Sequence, residues 1–155
     1  MHNEYKKIKG AFMKKKYWIS LCIERPEDDS NLDQNFSISA VKYFKDTEIE
    51  YFFEEIDKNF NGVYNAFRDF IGNHFLVSHY AYFERDFLKR VARKNKQKMI
   101  RNKWVDTQEI MIEQNSFGGT IEDAIKYFNL DIKRNISSNF QNNLAIKKIY
   151  QRIIN

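Results

Sequence analysis

Few side chains in this sequence have the types and spacing that metal or nucleophilic chemistry requires. Cys22 is the only cysteine, and it has no second Cys or His nearby at the spacing of a zinc site. His2 and His74 have no companions that would complete a ligand set or a catalytic set. Asp28 and Asp29 lie in a polar stretch, where carboxylates usually stabilise a turn. None of these groups on its own predicts a reactive centre.

The basic residues are a second group with chemical potential, because they are concentrated in two stretches. Residues 85–103 contain nine basic side chains and one acid, and residues 6–16 contain six more basic side chains. A positive stretch attracts polyanions by releasing condensed counterions, which indicates nucleic acid as a partner. A solvated helix face in a lysine-rich chain explains the same pattern, and the sequence leaves both interpretations open. The candidate phosphate-binding residues are Arg85, Lys89, Arg90, Arg93, Lys94, Lys96 and Lys98.

The composition limits the class of protein. With 155 residues, 43% hydrophobic and 16% aromatic, the chain is long enough for one packed domain and too short for two. A single cysteine excludes an intramolecular disulfide, so we expect a cytoplasmic protein in a reducing compartment. No segment approaches the length of about 20 apolar residues that spans a bilayer, so we expect no membrane association. Residues 1–16 are predicted to be a mobile basic extension and residues 17–155 a single domain.

The apolar pattern predicts three strands at the start of this domain. Residues 17–23 form a short apolar run, as expected for a strand that is buried on both faces. Residues 36–44 and 47–56 are β-branched and aromatic runs on either side of Lys45-Asp46, which predicts a hairpin. The three runs are consecutive, so we expect them to form an antiparallel group.

The rest of the chain alternates between helical and strand patterns. Thr120 followed by Asp123 also predicts a capping box at the start of a helix. We expect an α/β domain, in which a mixed central sheet of three antiparallel strands and then alternating helices and strands is flanked by helices. The predicted elements are a helix after Asn61-Gly62 that stops at Gly72, a strand at 75–77, a helix at 83–92, a strand at 103–106, and helices at 107–113, 120–128 and 140–154.

Residues 75–88 contain a motif that places these elements in a known family. The segment resembles the second exonuclease motif of the DnaQ-like (DEDD) 3′–5′ exonucleases, whose pattern is hydrophobic-hydrophobic-x-His-Asn-x-x-Phe-Asp-x-x-Phe-Leu. Glu84 stands where the family has a metal-binding Asp, which is a conservative departure. The residues that match the pattern directly are His79, Phe83, Phe87 and Leu88.

Three further stretches follow in the order of that family. Residues 38–42 resemble its second strand, residues 104–107 the strand end after the second motif, and residues 120–129 its Leu-x-x-Leu-x-x-x-Leu-Gly helix. The resemblance covers residues 17–154 and implies an RNase H-like exonuclease fold.

The same resemblance implies a metal site that this chain has largely lost. Family members bind two Mg²⁺ or Mn²⁺ ions through four acids, and a His or Tyr serves as general base. The first two acid positions hold Ser20 and Cys22, while Asn142 replaces the last acid and Ser137 replaces the His. Only Glu84 remains as a carboxylate, and one formal charge binds a divalent pair poorly. We expect no metal cofactor.

Three functions are compatible with this pattern. The leading hypothesis is a catalytically inactive exonuclease-fold module that binds nucleic acid, as a single strand or a 3′ end, or a protein partner, within an assembly for replication, repair or defence. Tyr80 and Tyr82 either stack on bases in this hypothesis or belong to the core. The second is an active divergent exonuclease, and the third is a purely protein-binding subunit.

The active alternative requires substitute ligands for Mg²⁺ or Mn²⁺, namely Glu24, Glu84 and Asp106, with Asp28 or Asp29 as a further candidate. Each has a simpler interpretation. Glu24 is a solvated acid at a strand end, Glu84 faces solvent beside Arg85, and Asp106 caps the helix that begins at Thr107.

Overall fold

The computed structural model describes residues 16–28, 30–33, 35–57, 59–115, 117–132 and 139–155. Within them the chain forms a single mixed α/β domain with one five-stranded sheet in the order β3-β2-β1-β4-β5. This confirms the predicted fold class. Residues 1–15, which make up nearly all of the predicted basic extension, lie outside the described residues, as do Asp29 and Ser137.

The first three strands form an antiparallel group with nearly the predicted bounds. They are β1 (Tyr17–Glu24), β2 (Phe36–Phe44) and β3 (Thr47–Ile56), and β2 pairs with both neighbours. Lys45 adopts a φ of 54° in the turn between β2 and β3, as tight hairpins require. β3 is an edge strand, so one side of its backbone has no strand partner within the described residues.

Two parallel strands extend the sheet beyond β1. β4 (Phe75–Ser78) pairs with β1, and β5 (Trp104–Asp106) pairs with β4. The crossover connections are helices α1 (Phe60–Ile71) and α2 (Ala81–Lys94), as parallel strands require. β1, β4 and β5 therefore end at the same edge of the sheet, which we call the carboxyl end. β4 begins at the opposite edge, which we call the amino end.

Helices cover both faces of the sheet. α1 and α2 pack on one face over residues such as Ile19, Leu21 and Leu76. The other face carries Trp18, Val77 and Val105 and is covered by α3 (Thr107–Asn115), α4 (Ile121–Tyr127) and α5 (Asn139–Ile154). Strand alternation places Ser20 and Cys22 on this second face, beneath α5. No helix within the described residues is long and apolar enough to cross a membrane.

The helix ends can be compared with the caps and stops that the sequence predicted. The predicted capping box is present, since the Thr120 amide donates to Asp123 Oδ2 over 2.9 Å and the Asp123 amide donates to Thr120 Oγ1 over 3.2 Å. α1 stops at Gly72, whose φ of 48° suits glycine. The predicted start of α1 after Gly62 was wrong by several residues. Asn59 is the cap, and its side chain accepts from the Gly62 amide over 3.2 Å.

Candidate functional site

One of the two first-strand positions that align with family acids belongs to a buried polar network. Ser20 is fully buried on β1, and its hydroxyl donates to Asn143 Oδ1 over 2.7 Å. The Asn143 side-chain amide in turn donates to Ser39 Oγ on β2. The Tyr43 hydroxyl is also hydrogen-bonded to Ser20, and burial raises the pKa of Tyr43 to about 12. These groups satisfy one another, so the network links α5 to the sheet.

Asn143 was missed by the sequence analysis, which placed the replaced acid at Asn142. The structure places Asn142 in a half-buried position that lines the clefts beside Cys22 and Glu84. The neighbouring Asn143 is the residue that contacts Ser20. Its spacing from Ile146 and Tyr150, which are both buried, is the helical signal that would have identified it.

Glu84 is buried, so the interpretation that it faces solvent was wrong. Its exposed fraction is 7%, and its carboxyl group accepts the backbone N–H of Ile23 at the end of β1. The Oε2 atom is buried without a hydrogen-bond partner among the described residues. Burial raises the pKa of Glu84 to about 8, and the Asp106 charge adds to this shift, while Arg25 opposes it. The carboxyl group is therefore mainly protonated at neutral pH.

Arg25 is the cation whose charge acts on Glu84. Its guanidinium lies 5.7 Å from the centre of the Phe87 ring, and its Nη1 approaches the Phe83 carbonyl at 3.4 Å. Arg25 and Glu84 line one cleft of about 470 Å³ together with His79 and Asn142. The positive charge that acts on Glu84 is therefore a side chain of the protein itself. Arg25 was not among the residues that the sequence singled out.

Asp106 caps α3, as predicted. Its Oδ1 accepts the backbone N–H groups of Gln108 over 2.9 Å and of Glu109 over 3.4 Å. The same oxygen accepts the Tyr80 amide over 3.2 Å, where Tyr80 has a φ of 64° just before α2. One carboxylate oxygen therefore holds the starts of two helices.

His79 has a structural position. Its Nε2 donates to the Gly119 carbonyl over 2.7 Å, because a carbonyl only accepts. Burial lowers the pKa of His79, so the ring is neutral and its Nδ1 accepts from the Thr107 hydroxyl over 2.8 Å. Both ring nitrogens are engaged, and His79 ties the end of β4 to α3 and to the segment before α4.

The other acids near the carboxyl end are exposed. Glu24 lies at the end of β1 and lines a cleft of about 650 Å³ with Arg25 and Arg90. Asp28 is exposed and accepts from both the amide and the hydroxyl of Ser30, which lowers the pKa of Asp28. Asp28 therefore has the turn role that its polar surroundings predicted.

The donor groups at the carboxyl end do not suit a pair of divalent ions. Such ions need several charged oxygens that converge. Ser20 is bonded to Asn143, Glu84 is mainly protonated at neutral pH, and Asp106 Oδ1 is shared by three amides. Across the described residues, no group of three or more His, Cys, Asp or Glu side chains is placed to hold a metal ion.

Three of the basic residues of α2 lie on its outer face. Arg85, Lys89 and Arg93 are exposed and have the spacing that aligns side chains along one side of a helix. Tyr82 lies on the same side with an exposed fraction of 73%, which contradicts a core position, whereas Tyr80 is half-buried against His79. We call Tyr82, Arg85, Lys89 and Arg93 the α2 outer face.

The remaining candidate cations are distributed differently. Arg90 forms a salt bridge of 2.9 Å with Asp86, and Lys94 forms one with Asp33. Lys96 and Lys98 are exposed after the end of α2, and Lys98 lines a cleft at the amino end of the sheet. The predicted set therefore does not lie on one surface.

Comparison with known proteins gives a result for the fold and none for the sequence. No protein-family model matches the chain, and no curated protein is similar enough in sequence to match. Solved structures do match, among them Exonuclease X in complex with 5′ overhanging duplex DNA, with a TM-score of 0.57 and 12% identity. The match covers 86% of this chain and 89% of that chain. This chain therefore has an exonuclease-like fold.

Proposed function

We propose that this protein is a catalytically inactive module of the DnaQ-like exonuclease type that binds nucleic acid within a larger processing assembly. The observation that supports this most strongly is the state of Glu84. The one carboxyl group that remains at a family metal position is buried, has a pKa of about 8 and lies near Arg25. A single carboxyl group beside an internal cation is a poor site for a pair of Mg²⁺ or Mn²⁺ ions, which need several charged oxygens.

The groups at the first two acid positions support the loss of catalysis. Two-metal cleavage needs one ion to activate water and a second ion to stabilise the leaving oxygen. The positions of the first acids hold Ser20, which is bonded to Asn143, and Cys22, which has a thiol where the family has a carboxyl group. These groups stabilise the domain and supply no charge for a second ion.

The α2 outer face is the proposed nucleic-acid surface. Arg85, Lys89 and Arg93 form no salt bridge within the described residues, so their charges are available for phosphate groups. Tyr82 adds an exposed ring on the same side, and stacking on a base contributes about 1–3 kcal/mol. The Exonuclease X structure, which contains duplex DNA, supports nucleic acid as the class of ligand.

The first test combines cleavage and binding of a labelled oligonucleotide with a 3′ overhang. We expect the strand to stay intact in Mg²⁺ and in Mn²⁺, and to bind more weakly as salt rises from about 50 mM to about 200 mM. Cleavage that is lost in Glu84→Gln would overturn the proposal of inactivity. A complete lack of binding at low salt would overturn the proposed ligand.

A charge-matched pair of variants tests the surface itself. Replacing Arg85, Lys89 and Arg93 with Gln is expected to weaken binding. The slope of log binding constant against log salt concentration should also become shallower by about 0.7 for each phosphate contact that is lost. The control replaces Lys45, Lys126 and Arg152, which are exposed elsewhere, with Gln. Equal losses in both triple variants would mean that only net charge matters, and that the α2 outer face is not the site.

One observation favours retained activity as a second candidate. Oε2 of Glu84 is buried without a hydrogen-bond partner within the described residues, and a bound cation would satisfy it. Mn²⁺ would then raise the melting temperature of the wild-type protein and not that of Glu84→Gln. An unchanged wild-type melting temperature removes this candidate.

A protein partner is the third candidate, and it is favoured by the edge of the sheet. Ile49, Tyr51 and Phe53 alternate along β3 and are exposed, with Tyr51 at 71%. An exposed apolar edge strand is a surface for pairing with another chain. A partner that co-purifies after nuclease treatment and is lost in Tyr51→Lys would support this role, whereas retention in that variant would exclude β3.

A further inference from the structure

The cleft at the amino end of the sheet lies away from Glu84 and its neighbours. It has a volume of about 740 Å³ and is bordered by the end of α1, the start of β4 and residues 98–103. Since β1, β4 and β5 are parallel, this cleft and the Glu84 site lie at opposite edges of the sheet. The cleft is therefore separate from the Glu84 site, and none of the residues of the α2 outer face lines it.

The lining of this amino-end cleft is positively charged. Four cations line it, and no acidic side chain among the described residues does so. None of the four takes part in a salt bridge within the described part of the chain. Like charges that are gathered without acids repel one another, and an anion relieves that repulsion. The four cations are Arg68, Lys98, Arg101 and Lys103.

Residues 98–103 lack helix and strand until β5, yet hydrogen bonds fix their course. Tyr64 donates its hydroxyl to the Lys98 carbonyl over 2.9 Å. The Asn102 side-chain amide donates to the carbonyls of Gly72 over 3.1 Å and His74 over 2.9 Å. The Leu76 amide donates to the Lys103 carbonyl over 2.9 Å. The backbone that carries three of the four cations is thus held in place before any ligand binds, which lowers the entropic cost of binding.

The cleft also offers apolar surface beside the charges. Met99 lines it with an exposed fraction of 44%, and Ile100 lines it in a half-buried position. Its volume lies within the range of about 300–1,000 Å³ that is usual for small-molecule sites. A ligand that matches both features carries phosphate groups and a flat, weakly polar ring.

We propose that the amino-end cleft binds a nucleoside phosphate, through its phosphate groups at Arg68, Lys98, Arg101 and Lys103 and its base against Met99. Both a free nucleotide and the end of a nucleic-acid strand carry these phosphate groups and a base. The α2 outer face is not required for this binding, so the inference does not depend on the proposed function.

The test is calorimetric titration of the full-length protein with adenosine triphosphate and, separately, with inorganic pyrophosphate, both without divalent ions. We expect the nucleotide to bind, and Arg101→Gln with Lys103→Gln to weaken it by about tenfold or more. The charge-matched control is Lys45→Gln with Lys126→Gln, which removes two exposed charges outside the cleft and is expected to leave nucleotide affinity unchanged. Absence of nucleotide binding, or an equal loss in the control, overturns the proposal.

Two further measurements identify the ligand more closely. Pyrophosphate that binds as tightly as the nucleotide would overturn the role given to the base and to Met99. Competition by an oligonucleotide of about twelve residues, measured in the α2 triple variant, identifies a strand end as the source. Nucleotide binding that the oligonucleotide does not reduce identifies a free nucleotide. Melting curves of each variant confirm that the fold is retained.

Discussion

The two ends of the sheet handle polar groups in opposite ways. At the carboxyl end, Ser20, Asn143 and Asp106 are used in hydrogen bonds within the domain, and Glu84 is mainly protonated. At the amino end, Arg101 and its neighbours line a cleft without an acid among the described residues. Polar groups that hydrogen-bond to one another stabilise the fold, whereas cations without a salt bridge can attract a ligand of opposite charge. We therefore expect an anionic ligand to bind at the amino end, where the cations form no salt bridge within the described residues.

The largest expected effect concerns the charge of Glu84. The group has a pKa of about 8 in the fold against 4.5 for an ordinary Glu, so the folded protein holds more protons between these values. Wild-type stability should therefore fall as pH rises from about 5 to about 9, and Glu84→Gln should remove most of that fall, about 4 kcal/mol. Urea unfolding across this range measures it. A flat wild-type profile would mean that Glu84 is ionised and that the carboxyl end resembles a metal site.

Asn143 and Asn142 provide a matched pair of adjacent substitutions at the same end. Asn143→Ala leaves Ser20 and Ser39 buried without this partner, and we expect a loss of about 3 kcal/mol in the free energy of unfolding. Asn142 is half-buried at the rim, so Asn142→Ala should cost less than about 1 kcal/mol. Equal effects in denaturant titrations would contradict the buried network.

Asn102 tests whether the amino end depends on preorganisation. Asn102→Ala removes the hydrogen bonds to the carbonyls of Gly72 and His74, and should cost about 1–2 kcal/mol in the free energy of unfolding. The amides of residues 98–103 should also exchange with solvent faster than in the wild type. Unchanged exchange rates would show that other contacts hold this segment.

The smallest effect is expected for a surface ion pair. Lys94→Gln breaks the salt bridge to Asp33, and because both side chains are substantially exposed, stability should change by less than about 0.5 kcal/mol. A thermal melt at low salt and at high salt measures this. A larger loss would mean that this exposed salt bridge stabilises the domain, contrary to the expectation that such pairs contribute little to stability.

The sequence predicted features that depend on neighbouring residues. The hairpin of β2 and β3 had the observed bounds, because alternating apolar residues and the Lys45-Asp46 turn act locally. The capping box at Thr120 was likewise predicted from residues three positions apart. The start of α1 was misplaced because the glycine at position 62 suggested a break, whereas its amide is what the Asn59 cap requires.

The site depended on contacts that no local pattern contains. The burial of Glu84 follows from the packing of α2 against the end of β1, which brings Arg25 and Ile23 to it from a distant part of the chain. Arg68 and Arg101 line the same cleft because residues 98–103 lie against α1 and the segment before β4. The loss of the family acids stays a prediction from the sequence, whereas the burial of Glu84 and its neighbours Ile23 and Arg25 could not be predicted from it.

The buried carboxyl group of Glu84 also links unfolding to the buffer. At a pH between 4.5 and about 8 the folded chain holds a proton on Glu84 that the unfolded chain releases. The solution must absorb this proton, so the heat recorded in a calorimeter includes the ionisation heat of the buffer. Two buffers at the same pH would then report different unfolding enthalpies for one protein, and the difference divided by the difference in ionisation heats counts the protons released.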